Sequence, residues 1–257
     1  MEYVIICLVT LFGAGMTLFS GFGLGTILMP VFGLFFPIEV AIALTALVHF
    51  ANNLIKFGFF HKHLNWKIIG KFGIPSVLAA FLGARLLSTL SEMPNITSYQ
   101  LNGHEFFITP VKLTIAGLLV FFSLMDIIPK LARLQFSDKY MPLGGALSGF
   151  FGGLSGNQGA LRAAFLIRSG LSKEVFIGTG VVIACLIDMT RITVYSERIV
   201  EHVGQEQIML LSFAVVSAFL GVFIGNRLFQ KITIKSLQVI VAVMLLVFAV
   251  LLGLGVL

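Results

Sequence analysis

The stretch GGLSGNQGALRAAFLIRSG, residues 152–170, decides how this chain is read. Ser155, Asn157, Gln158 and Arg162 stand inside a long apolar run, beside glycines that loosen a helix. The solvent that run must meet follows from composition. Of 257 residues, 58% are hydrophobic and 11% charged, against about 25% charged in a soluble domain, and the mean hydropathy is +1.04. A bilayer core takes about 20 apolar residues per crossing, and every backbone amide inside it needs an internal partner. Long continuous apolar runs meet that demand as helices, not as the alternating strands of a membrane barrel. The chain is therefore expected to be an all-α polytopic membrane protein. A polar, glycine-rich break at membrane depth must then be enclosed by protein or line a cavity.

Apolar segments fall at about residues 3–36, 39–60, 67–90, 107–128, 140–168, 174–195, 207–229 and 233–257, giving about eight transmembrane segments. The first and fifth exceed one crossing, and each is expected to be interrupted, at SGFGLGT (20–26) and at GGLSGNQG (152–159). Two interrupted segments four spans apart suggest duplication. FLGARL (81–86) recurs as FIGNRL (223–228), and Glu39, Asn53 and Lys56 face Glu174, Asp188 and Arg191 at a constant offset of 135. The reading is two four-segment repeats, residues 1–128 and 140–257, joined by a loop over 129–139. Four spans per copy make parallel repeats the simplest inference; a re-entrant hairpin at an interrupted segment would make them inverted. Lys62, Lys67, Lys130, Arg133, Lys139 and Arg198 share one side in the eight-span count, which points to cytoplasmic termini. Arg168, Lys173, Lys231 and Lys235 count against that. The N-terminal run has no basic stretch before it and reads as a retained span, not a cleaved leader.

Several function classes drop out. Cys7 and Cys185 have no metal or redox spacing and read as packing residues. His61 and His63 lack a third ligand, so no metal and no cofactor is expected. The net charge of +6 suits anionic lipid, and no basic helix with interleaved aromatics suggests nucleic acid.

His49, Asn52, Asn53 and Lys56 follow the i, i+3, i+4, i+7 spacing of one helix face, and Asp188, Arg191 and Tyr195 share a face of the sixth segment. An ionisable group at mid-membrane costs about 2.5–3.5 kcal/mol on insertion scales, so such groups face a partner or a cavity. The bland alternative is interhelical glue, with Asp188 neutralising Arg191 one turn away. Arg85 and Arg227, at span ends, read as snorkelling residues. Where a spanning helix breaks, the second half begins with free N–H groups and a positive dipole end that attract an anion. Gly21, Gly23 and Gly25 in one copy, and Ser155, Gly156, Asn157, Gln158 and Gly159 in the other, are thus candidate substrate contacts. Arg162, with a guanidinium that can hold an oxyanion by two bonds, joins Asn52, Asn53, Lys56 and Arg191 in a cationic site. His49 and Asp188 are candidates for a coupled proton.

SGFGLGTILMP (20–30) followed by PIEVAIALT (37–45), and GFFGGLSGNQGALRAAFL (149–166) followed by LSKEVFIGTG (171–180), resemble the TauE/SafE sulfite exporters, also called the toluene-sulfonate uptake permease family. The resemblance spans nearly the whole chain. It implies two four-span repeats with Gly-rich openings, here Gly21, Gly23, Gly25 and Gly156, Gly159. It also implies movement of sulfite, sulfonates or related organic acids across the bacterial inner membrane. The sequence departs from the pattern at Asn157-Gln158-Gly159, in place of a glycine run, and at Ala163-Ala164, where proline is common. The expected function is a secondary carrier, an exporter of a small anion, working by alternating access. A passive anion channel is the alternative. A rhomboid-like serine protease, suggested by Gly153-Leu154-Ser155-Gly156, lacks a base near the serine, and the chain is not read as an enzyme.

Overall fold

Proline and hydroxyl residues set where the helices begin. Thr109 accepts from Lys112 N at 3.2 Å ahead of Pro110, and Ser172 accepts from Val175 N at 3.4 Å. In the computed structural model, which describes residues 1–17, 23–132, 134–228 and 234–257, the chain forms α1 (Glu2–Met16), α2 (Leu24–Gly33), α3 (Ile38–Phe60) and α4 (Trp66–Glu92). A two-stranded hairpin, β1 (Thr97–Leu101) and β2 (His104–Ile108), follows. Then come α5 (Pro110–Ile127), α6 (Met141–Ser155), α7 (Gly159–Leu166), α8 (Lys173–Val194), α9 (Gln205–Leu228) and α10 (Ile234–Gly253), with short helical turns between some of them. Among the described residues, α3, α4, α5, α8 and most of α9 are each long and apolar enough to cross a membrane. The chain is a multi-pass, all-α membrane protein. Ile69–Gly73 in α4 forms a π turn, just ahead of Pro75, whose ring crowds the carbonyl four residues back and has no N–H to give it.

The two interrupted segments are not kinked spans. A Cβ on Gly13 would lie 3.0 Å from Leu24 Cδ1 and 3.6 Å from Ile27 Cδ1; in one continuous helix those residues would stand about 16 and 21 Å away along the axis. α2 therefore turns back along α1. The same holds for α6 and α7, because a Cβ on Gly144 would run into the Phe165 ring, and Ser148 Oγ donates to Gln158 O at 3.2 Å. Each interrupted segment is a helical hairpin that enters and leaves on one face. The second turns at Gly156, whose φ of +79° is a left-handed conformation that side chains disfavour. The turn of the first, with Gly21 in it, lies outside the described residues.

Packing between the halves is reciprocal. Gly145, Gly149 and Gly153 of α6 press on the carbonyls of Phe72, Ser76 and Ala80 in α4, and Gly221 and Gly225 of α9 press on Leu11 and Gly15 of α1. Both pairs run parallel, with small residues letting backbones approach. Gly178 near the start of α8 meets Phe60 and His63 at the end of α3, and Gly253 at the end of α10 meets Ala116 in α5. Those two pairs run antiparallel. The core sits along these seams: Ile42, Leu119, Leu245 and Phe248 in one cluster, Ile6, Leu28, Val48 and Ala218 in another. Tyr195 OH donates to Gly153 O and ties α8 to α6.

The hairpins re-sort the loops. Asn65 N donates to Thr179 Oγ1 (3.0 Å) and Ser169 Oγ to Asp138 Oδ1 (3.0 Å), so Lys62, Lys67, Lys130, Lys139, Arg168 and Lys173 gather on one face. Arg168 and Lys173 thus lie with the basic loops and Arg198, in the helical turn ahead of α9, lies opposite them, each the reverse of what the eight-span count expects; Arg133 and Lys231 lie outside the described residues. On the other face, Tyr3 OH donates to Glu206 O (2.8 Å) and Tyr99 OH to Leu254 O (2.6 Å). Both termini lie there, together with Glu2, Glu39, Glu92, Glu105, Glu197, Glu201 and Glu206.

Candidate functional site

α3 and α8 cross antiparallel with their polar faces toward each other, which buries a four-residue cluster. Asp188 is fully buried. Arg191, one turn further along α8, donates to its Oδ1 through Nε (3.0 Å) and Nη2 (2.8 Å). Across the interface, His49 Nδ1 donates to Oδ2 at 2.6 Å and Asn53 Nδ2 donates to the same oxygen at 3.2 Å. With Nδ1 engaged, Nε2 is left to accept from Asn53 Nδ2 at 3.4 Å. It faces the first hairpin, since a Cβ on Gly23 would stand 2.9 Å from it. The second hairpin is held in the mirrored way, for a Cβ on Gly156 would stand 2.8 Å from Arg191 Nη1. Gly23 at the start of α2 and Gly156 at the turn of the second hairpin thus each rest on one member of the cluster.

Beside the cluster lies a cavity of about 40 Å³, room for about three waters. Thr17, Gly23, His49, Asn53, Lys56, Arg162 and Gly180 line it, with Ala163, Leu166, Phe176, Ile177 and Val181 completing the wall. It runs from the first hairpin outward to Lys56 and Phe176, about one turn from the ends of α3 and α8 on the basic face. Lys56 is 4% and Arg162 9% exposed. Arg162 Nη1 donates to Gln158 Oε1 at 3.3 Å. Among the described residues no carboxylate lies within 4.0 Å of either cation; the two ion pairs both belong to Asp188. A pair of buried cations without counter-charge is a demand for an anion.

The residues expected to meet do so in part. Gly23, His49, Asn53, Lys56 and Arg162 share the cavity. Asp188 and Arg191 form the buried pair behind it, so the Arg191 guanidinium is committed to Asp188 and not to the cavity. Gly25 packs on His49 and Thr45. Ser155 Oγ donates to its own helix at Phe151 O (3.1 Å), and no histidine among the described residues bonds it. The side-chain amides of Asn52 and Asn157 are buried without a hydrogen-bond partner among the described residues. Gly156 abuts Arg191, Gln158 holds Arg162, and Gly159 begins α7; Gly21 lies outside the described residues. The sequence reading missed Thr17 and Gly180. Gly180 shows why glycine stands there: a Cβ would lie 3.4 Å from Arg162 Nε, so a longer side chain would take the guanidinium's place.

The family pattern described as Sulfite exporter TauE/SafE matches residues 6–252, nearly the whole chain. No curated protein matches it.

Proposed function

The chain belongs to the sulfite exporter TauE/SafE family, a family of membrane transporters and not of enzymes, and we propose that it is a secondary carrier that exports a small anion by alternating access. The observation that carries this reading is the pair of buried cations, Lys56 and Arg162, on one cavity with no carboxylate partner among the described residues. We further propose that the two halves, 1–128 and 140–257 with 129–139 between them, are inverted repeats. Each comprises one helical hairpin and three crossings, an odd count that turns the second copy over. The reciprocal packing of α1 on α9 and α6 on α4 supports this over the parallel arrangement expected from eight simple spans. The membrane is the bacterial inner membrane in this reading. The basic face is the cytoplasmic one by the excess of Lys and Arg in its short loops, which puts both termini outside, the reverse of the orientation expected from the eight-span count. The cavity then loads from the cytoplasm, as export requires.

His49 is the proposed carrier of a coupled proton, through Nε2 beside the cavity and next to Lys56. Asp188, held by three side chains, orients it. The test is flux in proteoliposomes, offering sulfite, thiosulfate, sulfonates and carboxylates with and without a pH gradient. Accumulation of one of these anions against its gradient supports the carrier. Dissipation of gradients without uphill movement under any condition replaces it with a passive channel, and no movement of any anion removes the transport reading.

A further inference from the structure

We infer that the cavity is built for a small anion bearing two negative charges, and that Lys56 is the residue that reads the second charge. This rests on the anion-carrier reading above and adds the valence and size of what is carried. The first ground is charge. Lys56, Arg162 and Arg191 are all buried within one site, and Asp188 is the carboxylate that faces them. With Lys56 protonated and His49 neutral, three cations against one carboxylate leave two positive charges for the entering anion to compensate. Asp188 has no capacity to spare, since both of its oxygens are already engaged by Arg191, His49 and Asn53. A buried charge without a partner is expensive, so a monoanion entering the cavity leaves one cation exposed to that penalty. A dianion closes the ledger.

The second ground is geometry. Arg162 is anchored by Gln158 through Nη1, and its planar fork matches two oxygens of an oxyanion. Lys56 Nζ is a point charge on a flexible stem, indifferent to shape and sensitive to charge. The two therefore divide the work, Arg162 fixing orientation and Lys56 fixing valence. The third ground is room. A cavity of about 40 Å³ accepts the equivalent of about three waters, enough for a central atom with its oxygens. A cavity that binds benzene measures about 150 Å³, several times this volume, and Leu166, Phe176, Ile177 and Val181 form the apolar part of the lining.

The test compares uptake by proteoliposomes of sulfate and thiosulfate, both dianions, with nitrate and methanesulfonate, monoanions of similar size, and with benzenesulfonate. Wild-type protein is expected to take up a dianion at least about tenfold faster than either small monoanion, the factor a charge-assisted contact supplies, and to ignore benzenesulfonate. Lys56→Gln is expected to bring dianion and monoanion rates within about threefold of each other, less than one such contact is worth. Lys56→Arg, which keeps the charge and controls for folding, retains the preference. Equal entry of nitrate and sulfate in wild type, or an undiminished preference in Lys56→Gln protein that elutes as a single species, overturns the valence inference while leaving anion transport standing. Ready uptake of benzenesulfonate overturns the size limit. If no anion crosses at all, the carrier reading fails first and this inference falls with it.

Discussion

Replacing Asp188 by Asn leaves the shape of the buried cluster and removes its one negative charge. Both hydrogen bonds observed for the Arg191 guanidinium end on Asp188 Oδ1, at 3.0 and 2.8 Å, and both side chains are wholly shielded from the surroundings. Each charge-assisted bond is worth about 1.5–3 kcal/mol, and breaking a buried pair by removing one partner costs about 3–5 kcal/mol. Against a folding free energy of about 5–15 kcal/mol, Asp188→Asn should lose about a fifth of the stability or more. The assay is equilibrium unfolding by SDS in mixed micelles, followed by far-UV circular dichroism. The decisive comparison is with Asp188→Leu/Arg191→Met, in which neither charge remains. That double variant should be more stable than Asp188→Asn, falling short of wild type by about 1–3 kcal/mol because His49 Nδ1 then lacks its acceptor. Stability of Asp188→Asn within about 1 kcal/mol of wild type, or a double variant no better than the single, would refute the reasoning that a trapped guanidinium dominates the energetics here.

Arg162→Gln should lower anion flux by about 10- to 100-fold, the range of one buried charged contact, with insertion and elution unchanged. Arg191→Gln, by contrast, should lose folded protein along with transport, so gel filtration tells the two arginines apart. Gly156→Ala should cost about 1–2 kcal/mol for its left-handed backbone alone, and its methyl, 2.8 Å from Nη1, should also push Arg191 off Asp188; a melting temperature equal to wild type would contradict the hairpin turn. In a background with Cys7 and Cys185 replaced by Ser, a membrane-impermeant maleimide applied to intact cells should label Gln100→Cys and not Lys139→Cys, and the opposite pattern reverses the orientation.

Local patterns made much of this molecule legible. Span positions follow from apolar run length, which a bilayer reads residue by residue. The pairing of Asp188 with Arg191 follows from their spacing of three. The grouping of His49, Asn53 and Lys56 follows from helical periodicity, and FLGARL with FIGNRL marks equivalent helices because Gly83 and Gly225 both meet a hairpin helix from the other half. What one sequence does not disclose is the difference between a kinked span and a hairpin. Both have the same apolar composition, and the choice lies in tertiary contacts such as Gly13 with Leu24 and Gly144 with Phe165. That single ambiguity propagated to repeat symmetry and orientation, since each hairpin removes one crossing. The β1–β2 hairpin was readable, because Asn102-Gly103, both at positive φ, is a strong signal for a two-residue turn between strands.

Gly221 follows Leu11, which it presses against, by 210 residues. A ribosome adding about 5–20 residues per second delivers the later helix about 10–40 s after the earlier one. During that interval the opening hairpin has neither its neighbour nor a finished cavity beside it. Something in the nascent environment must shield it, and a chain cut between the halves would leave each piece waiting for a companion it does not encode.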